Sequence, residues 1–373
     1  MNLPRQKLLL GLDLEELTDL VEQAGEPAYR ARQLFHAVYR ERVGSPDSIS
    51  TLPQGFRTYC CTQGITIGRP EIESRFVSRD GTARYLLRMN DGETVETVWM
   101  PEGDEGEAGD GSEAGAEIET TGRSARPRAT ICVSSQVGCA VNCQFCLTAL
   151  LGVKRNLTVG EIVGQVLALL DDQNRRPPEE RVNLVFMGMG EPFLNFDNLM
   201  KAVRLLVEGV GIAESRMTVS TAGVVPRIED LGEQPVRPKL AISLNAPNDE
   251  LRTRLMPINR KWNLEKLIKA ARDFPLRSRE KLTFEYVLLR LVNDSPQHAR
   301  ELAELIRGVN AKVNLIALNP GPGVEFETPE QRTVEEFQNV LIRSGIPAFI
   351  RRPRGRDIYA ACGQVKRTME LSV

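Results

Sequence analysis

A chain of 373 residues, 41% hydrophobic and 26% charged, has the length for one large α/β domain with a small accessory one and an ordinary globular composition. A net charge of −2 excludes a general electrostatic attraction to nucleic acid, so any RNA contact has to come from a local basic patch. No apolar run reaches the roughly 20 residues of a membrane helix and Leu8-Leu9-Leu10 is too short for a signal peptide, so a cytoplasmic protein with no membrane partner is expected.

Asp13-Leu14-Glu15-Glu16-Leu17 starts an amphipathic helix, and Gly25-Glu26-Pro27 breaks it. A second helix carries Tyr29, Leu34, Phe35, Val38 and Tyr39 at spacings of one or two turns. Arg30, Arg32, Arg40 and Arg42 decorate it, either as a solvated face or as a surface turned to RNA. From about 64 to 100 the pattern alternates as in antiparallel strands: Ile65-Thr66-Ile67, then 83–87, then 95–100. Gly81 and Asp91-Gly92 supply the turns between them. Residues 101–120 hold eight acidic residues and five glycines with no Lys or Arg, a loop composition that reads as a surface insertion without catalytic duty.

From Arg128 onward strand and helix alternate. Strand-like runs fall at 129–135, 182–187, 217–221, 240–244, 282–289, 313–318 and 348–351. Helical stretches between them include 158–170, 264–272, 298–306 and 334–341. This alternation predicts a parallel sheet with covering helices, open or closed into a barrel. In such folds chemistry collects at the C-terminal ends of the strands, where the polar motifs of this chain fall.

Immediately after the first of these strands come Cys139, Cys143 and Cys146, spaced x3 and x2. Three thiolates on a compact loop can hold an iron–sulfur cluster, and where four is usual the missing one leaves an iron open to a substrate ligand. The alternative is a zinc site completed by Cys132 or Cys362, although zinc loops favour paired CxxC units. His36 and His298 both sit in helical patterns, which argues against histidine-based metal sites and triads. The next strand ends in Gly188-Met189-Gly190-Glu191-Pro192, where glycines admit a ligand to the backbone and a carboxylate can receive an ammonium group. Ser220, the Ser243-Leu244-Asn245 run and Asn319 end later strands, as capping residues or as partners for ribose and adenine. By itself Cys132 reads as a small buried hydrophobe, and Cys362 in its loop of small residues is as readily inert as reactive.

Taken together these segments resemble the RlmN/Cfr family of radical-SAM RNA methyltransferases, the RlmN branch above all. Val95-Glu96-Thr97-Val98, the stretch from Cys132 to Thr158, Gly188 to Pro192, Ser220 to Pro226, Ala241 to Asn248, Asn314 to Pro320 and Arg354 to Gln364 carry the likeness. It runs over nearly the full chain, including Gly25 to Phe35. The resemblance implies a partial (β/α)6 radical-SAM barrel at 128–373 ending in a cysteine loop. Ahead of it stand a small helical RNA-binding domain at 1–63, a β-hairpin-like connection at 64–100 and a flexible acidic insertion at 101–127.

It also implies a 4Fe–4S cluster on Cys139, Cys143 and Cys146, and contacts to S-adenosylmethionine (SAM) from Gly190, Glu191, Ser220, Ser243, Leu244, Asn245 and Asn319. Cys362 corresponds to the family's methyl-carrying cysteine, Cys132 to its partner thiol and Glu96 to a proton acceptor. The implied reaction methylates C2 of an adenosine in 23S rRNA and in tRNA. It consumes two SAM molecules, draws on an electron donor such as flavodoxin or ferredoxin, and is carried out by a monomer. Asn245 stands where some members have histidine, and the acidic insertion widens the separation of Glu96 from Cys132. Basic residues from Arg351 to Arg367, with Lys154 and Arg155, read as a phosphate-binding rim or a solvated face. The rivals are a C8-methylating relative, which shares nearly every motif, and a zinc-stapled RNA-binding protein without catalysis.

Overall fold

The computed structural model of the chain describes residues 7–101 and 128–360. Its first part is helical, as the sequence predicts. In α1 (Leu14–Gln23) Asp13 and Glu16 cap each other's backbone, and Leu17, Leu20 and Val21 turn inward. α2 (Arg30–His36) runs into a wider turn through Glu41, and α3 (Gln54–Thr62) follows. Two short strands, β1 (Lys7–Leu8) and β2 (Ile65–Thr66), pair in parallel and close the module. The arginines of the second helix do not form one exposed face. Arg42 is buried and pairs with Asp171 at 3.1 Å, and Arg40 donates to the Val210 carbonyl at 3.0 Å. Both side chains fasten the module to the barrel.

A ten-stranded sheet forms the body. β3 (Glu71–Val77), β4 (Ala83–Arg88) and β5 (Thr94–Pro101) are antiparallel and join β6 (Ala129–Cys132). Sequence periodicity did not predict β3, an edge strand whose mostly exposed residues give no apolar alternation. A small ribbon follows, β7 (Gln136–Gly138) with β8 (Val153–Asn156). The repeat then runs α4 (Val159–Asp172), β9 (Val182–Phe186), α5 (Phe196–Leu205), β10 (Met217–Thr221), α6 (Val225–Gly232) and β11 (Lys239–Ser243). It continues through α7 (Asp249–Leu255), α8 (Leu264–Asp273), β12 (Leu282–Leu288), α9 (Pro296–Leu305), β13 (Ala311–Ala317), α10 (Gln331–Arg343) and β14 (Ala348–Arg351).

The strand order is β14-β13-β12-β11-β10-β9-β6-β5-β4-β3. From β6 and β9 to β14 every pairing is parallel and each new strand joins the same edge. Without a reversal of order, crossovers of one hand put all the helices on one side. Alternate strand residues there, among them Ile131, Leu184, Val219, Ile242, Phe284 and Leu315, pack with helix residues such as Val166, Leu199, Ile228, Leu267 and Phe337. The opposite face is left to form the barrel interior. The result is a partial barrel, with six strand–helix units and a further parallel strand among the described residues.

The acidic insertion leaves this sheet undisturbed. It departs after Pro101 and returns before Ala129, and those two residues are register partners. Residues 102–127 themselves lie outside the described part.

Candidate active site

Because side chains alternate across a strand, the inner face can be read from the register. Val98 is opposite Cys132, and the two pack in a small cluster with Val185. Glu96, two residues before Val98, therefore shares that face with Cys132, despite the insertion between them in sequence. Both are buried, at 3% and 9% exposure. Glu96 receives Arg84 Nη1 at 3.3 Å, and its carbonyl accepts from Ser134 Oγ at 2.6 Å. Ala360 packs against the same cluster from the other end of the chain. Cys362 lies outside the described residues.

The strand ends beyond β6 and β9 are wired together. Ser134 Oγ also accepts from Met189 N at 2.9 Å, and Gln165 of α4 clamps both the N–H and the carbonyl of Ser134 at 2.9 and 3.0 Å. Gln136 Oε1 accepts from Glu191 N at 2.9 Å. A Cβ at Gly190 would stand 2.5 Å from that of Gln136, and its φ of +99° suits only glycine.

Glu191 sits at 3% exposure, with Oε1 accepting from Phe193 N at 3.0 Å and Oε2 from Ala222 N at 2.7 Å. It thereby braces the end of β9 against the end of β10. Burial pushes its carboxyl up to about 6, against the pull of those two N–H groups and Thr221. The carboxylate still keeps lone-pair capacity for an ammonium group.

Further along the rim Ser220 Oγ lies 3.1 Å from Ser243 Oγ and donates to Glu285 Oε2 at 2.7 Å. Ser243, Glu285 and Asn314 are register neighbours across β11, β12 and β13. Asn314 Oδ1 is buried with no hydrogen-bond partner among the described residues. Leu244 points into the core, and its carbonyl takes Arg252 Nε. Asn245, at φ +60°, spends its side chain on Val287 N at 2.8 Å and Met256 Sδ at 3.2 Å. Asn319 Oδ1 accepts from Arg356 Nε at 3.2 Å.

The three clustered cysteines occupy the loop joining β7 to β8. All are half-buried, and Cys139 and Cys143 pack beside Val141, Leu255 and Met256. Burial pushes the Cys139 thiol up to about 12, with Cys146 and Glu191 adding to the effect and the Val141 N–H opposing it. Burial also pushes the Cys143 thiol well up, aided by Cys146 and Cys139. Thiols that resist ionisation this strongly but stand side by side need a cation to become thiolates. Among the described residues no group of three Cys, His, Asp or Glu side chains converges on a single ion. An iron–sulfur cluster instead takes each thiolate on a separate iron, so the soft three-sulfur loop fits such a cluster.

Sequence patterns did not reveal Arg252. It is fully buried and donates to the carbonyls of Leu244 (3.0 Å), Ala222 (2.7 Å) and Ser243 (3.2 Å) and to Asn259 Oδ1 (2.9 Å). Burial lowers it to about 10, while Cys143 and Asp249 pull the other way, so it stays cationic at neutral pH. Its helix also holds the cysteine loop, since Gln144 N donates to the Leu255 carbonyl at 2.9 Å. Helical periodicity makes Arg252 one charged residue among several. Glu285 did leave a signal, a carboxylate inside the apolar run from Leu282 to Leu288.

Of the basic rim, Lys154 pairs with Glu93 at 2.8 Å, and Arg155 pairs with Asp91 at 2.7 Å and Glu161 at 2.8 Å. These two positions are neutralised within the protein. Lys366 and Arg367 are outside the described residues. No described helix is long and apolar enough to cross a membrane.

Comparison with known proteins fits this geometry. A family model described as the Radical SAM superfamily matches residues 133–306. A probable dual-specificity RNA methyltransferase RlmN of Koribacter versatilis is 63% identical over 348 residues, covering 93% of this chain and 98% of that protein. The dual-specificity RNA methyltransferase RlmN of Nitratiruptor sp. is 44% identical over 362 residues, covering 96% and 98%. Among solved structures, a radical SAM methyltransferase from Sphaerobacter thermophilus superposes with a TM-score of 0.84 at 40% identity, covering 96% of this chain and 99% of that one.

Proposed function

The chain belongs to the RlmN family of radical SAM RNA methyltransferases, and from that premise we propose that it methylates C2 of an adenosine in 23S rRNA and in tRNA. The observation that carries the reading is the inner-face cluster, where Cys132 and Glu96 share one side of the sheet and Ala360 packs against it. Ala360 is two residues from Cys362, a span of at most about 7 Å of extended chain. The reading pairs Cys132 with Cys362 across that short tether.

Cys139, Cys143 and Cys146 would hold the cluster, and Gly190, Glu191, Ser220, Ser243 and Asn319 would line the SAM side of the rim. Leu244 and Asn245 support that rim through their backbone and internal bonds. When bound, cluster and SAM supply one electron and a hydrogen-abstracting 5′-deoxyadenosyl radical. The chain's own sulfurs do the rest. As a thiolate Cys362 takes a methyl group from one SAM by ordinary displacement. Having lost one hydrogen, its methyl carbon bonds to C2, a carbon too electron-poor to attack a sulfonium itself. Glu96 or Cys132 accepts the C2 proton, and the unpaired electron left on the adduct would go back to the cluster that supplied it. Cys132 then attacks the Cys362 sulfur, the carbon–sulfur bond breaks toward the new methyl group, and that carbon takes up a proton.

The electrons balance. Joining two thiols as a disulfide releases two electrons, the number consumed in cutting a sulfonium to methionine and 5′-deoxyadenosine. A donor of the flavodoxin or ferredoxin kind would supply the cluster's electron, and a thiol reductant would restore the two thiols between turnovers. The test is nucleoside analysis of rRNA and tRNA from a strain lacking its own enzyme and expressing this chain. 2-Methyladenosine in both is expected, and 8-methyladenosine without it would overturn the reading. Mass analysis of Cys362 after incubation with methyl-labelled SAM checks the first step, with label on that residue expected.

A further inference from the structure

Among the described residues β14 and β3 are the two edges of the sheet, and no strand pairing joins them. The chain after β14 crosses between them instead. It lands on the turn between β3 and β4, where Asp357 Oδ1 accepts from Ser78 Oγ at 2.5 Å and Oδ2 from Arg79 N at 3.3 Å. The turn reciprocates, because Asp80 Oδ2 accepts from Gly355 N at 2.9 Å while its Oδ1 holds Thr82 N at 2.9 Å. Each segment therefore offers a carboxylate to the backbone of the other. Charge-assisted bonds of this kind are the stronger ones.

The landing is tight. Gly355 has φ +60°, and a Cβ there would stand 2.6 Å from that of Ala360 and 3.0 Å from Thr82 Cγ2. Ala360 N returns to the Gly355 carbonyl at 3.0 Å, closing a small loop that includes Tyr359 at φ +52°. A non-glycine residue in the left-handed region persists where its surroundings hold it. From that loop Ala360 reaches the Val98–Cys132–Val185 cluster.

We propose that Ser78, Asp80 and Asp357 form a latch that ties the chain after β14 to the β3–β4 turn and fixes Ala360 beside Cys132, so that the tether carrying Cys362 starts from a set point. They are positioning residues and touch neither substrate nor SAM. The latch makes the two thiols mutually accessible by fixing Ala360, and so raises their effective concentration. This inference rests on the proposed pairing of Cys132 with Cys362.

The test equilibrates full-length, cluster-loaded protein anaerobically with a glutathione redox buffer. Two thiols exchange with one glutathione disulfide to give the internal disulfide and two reduced glutathiones. After acid quenching, peptide mass analysis gives the fraction linked Cys132 to Cys362. Asp357→Ala and Asp80→Ala are each expected to lower the equilibrium constant by about tenfold or more, with SAM affinity unchanged. Ser78→Ala removes a single hydroxyl, so it serves if an aspartate variant does not fold, and a drop of about threefold is expected. Asp357→Asn, which still accepts from Ser78, should recover part of the loss. Unchanged linkage in a folded latch variant, Ser78→Ala included, overturns the latch alone. Absence of the linkage in the unsubstituted protein overturns the pairing on which it rests.

Discussion

The two faces of the ten-stranded sheet are both buried, yet they are built on opposite rules. On the helix side the strands present Ile131, Val219, Ile242, Phe284 and Leu315, and any residue of similar size and polarity would serve. On the inner side their immediate neighbours are Cys132, Ser220, Ser243, Glu285 and Asn314, and Ser220 ties itself to both Ser243 and Glu285 across the strands. One face holds the protein together by area removed from water. The other spends some of that stability on polar groups held in place, and those groups are where a charged ligand can dock.

Substitutions can break or sharpen that contrast. The largest effect belongs to the cysteine loop: Cys143→Ala should abolish both the brown iron–sulfur absorbance after anaerobic reconstitution and all product. Arg252→Met comes next. It strips four acceptors of their donor and removes the cation beside Cys143, so urea unfolding should show a loss of about 3–5 kcal/mol. A redox titration of the loaded protein should also find the cluster harder to reduce, because a nearby positive charge favours the added electron.

Residues 284 and 285 then set the faces directly against each other. Phe284→Ala is expected to cost about 3–5 kcal/mol in urea unfolding while leaving the SAM affinity of the folded fraction intact. Glu285→Gln should do the reverse, changing stability by about 1 kcal/mol and weakening SAM binding about tenfold through Ser220 and Ser243. Equal behaviour of the two variants would erase the distinction.

Acid gives a subtler separation. Glu191 titrates near 6, so it is ionised above that pH and neutral below it. Attraction for an ammonium group is therefore present at pH 7 and lost as pH falls through about 6. SAM affinity measured by equilibrium dialysis should drop about tenfold between pH 7 and pH 5. Glu191→Gln should flatten that profile. The smallest effect is expected outside both faces. Replacing 102–127 by a short turn should change stability by less than about 1 kcal/mol, because the ends of the segment are already paired strand residues.

Much of this was legible before any coordinates. Strands at 217–221 and 348–351 and helices such as α8 fall where periodicity put them, since each has an apolar stripe of the right period. The cysteine spacing and the Gly188 to Pro192 segment marked two strand ends because glycine, proline and clustered thiols are rare in an ordinary strand–helix connection. Three things escaped. β3 is exposed and carries no alternation, Arg40 and Arg42 looked like a surface and are fasteners, and Arg252 gave no sign of being buried. Arg40 and Arg42 meet their partners, Val210 and Asp171, far along the chain, whereas β3 carries no apolar stripe because it is a sheet edge and Arg252 is buried only by tertiary packing.

What the sequence determined by itself was local: which segments are strands or helices, and which strand ends carry sulfur, carboxylate or hydroxyl. Those choices follow from side-chain period and residue chemistry, which act over a few neighbours. Tertiary structure alone decided that Glu96 and Cys132 share a face, that Ser220 meets Glu285, and that Asp357 returns to Ser78. Register and crossover bring those groups together, and both are set by the packing of whole elements, which no short window of residues contains.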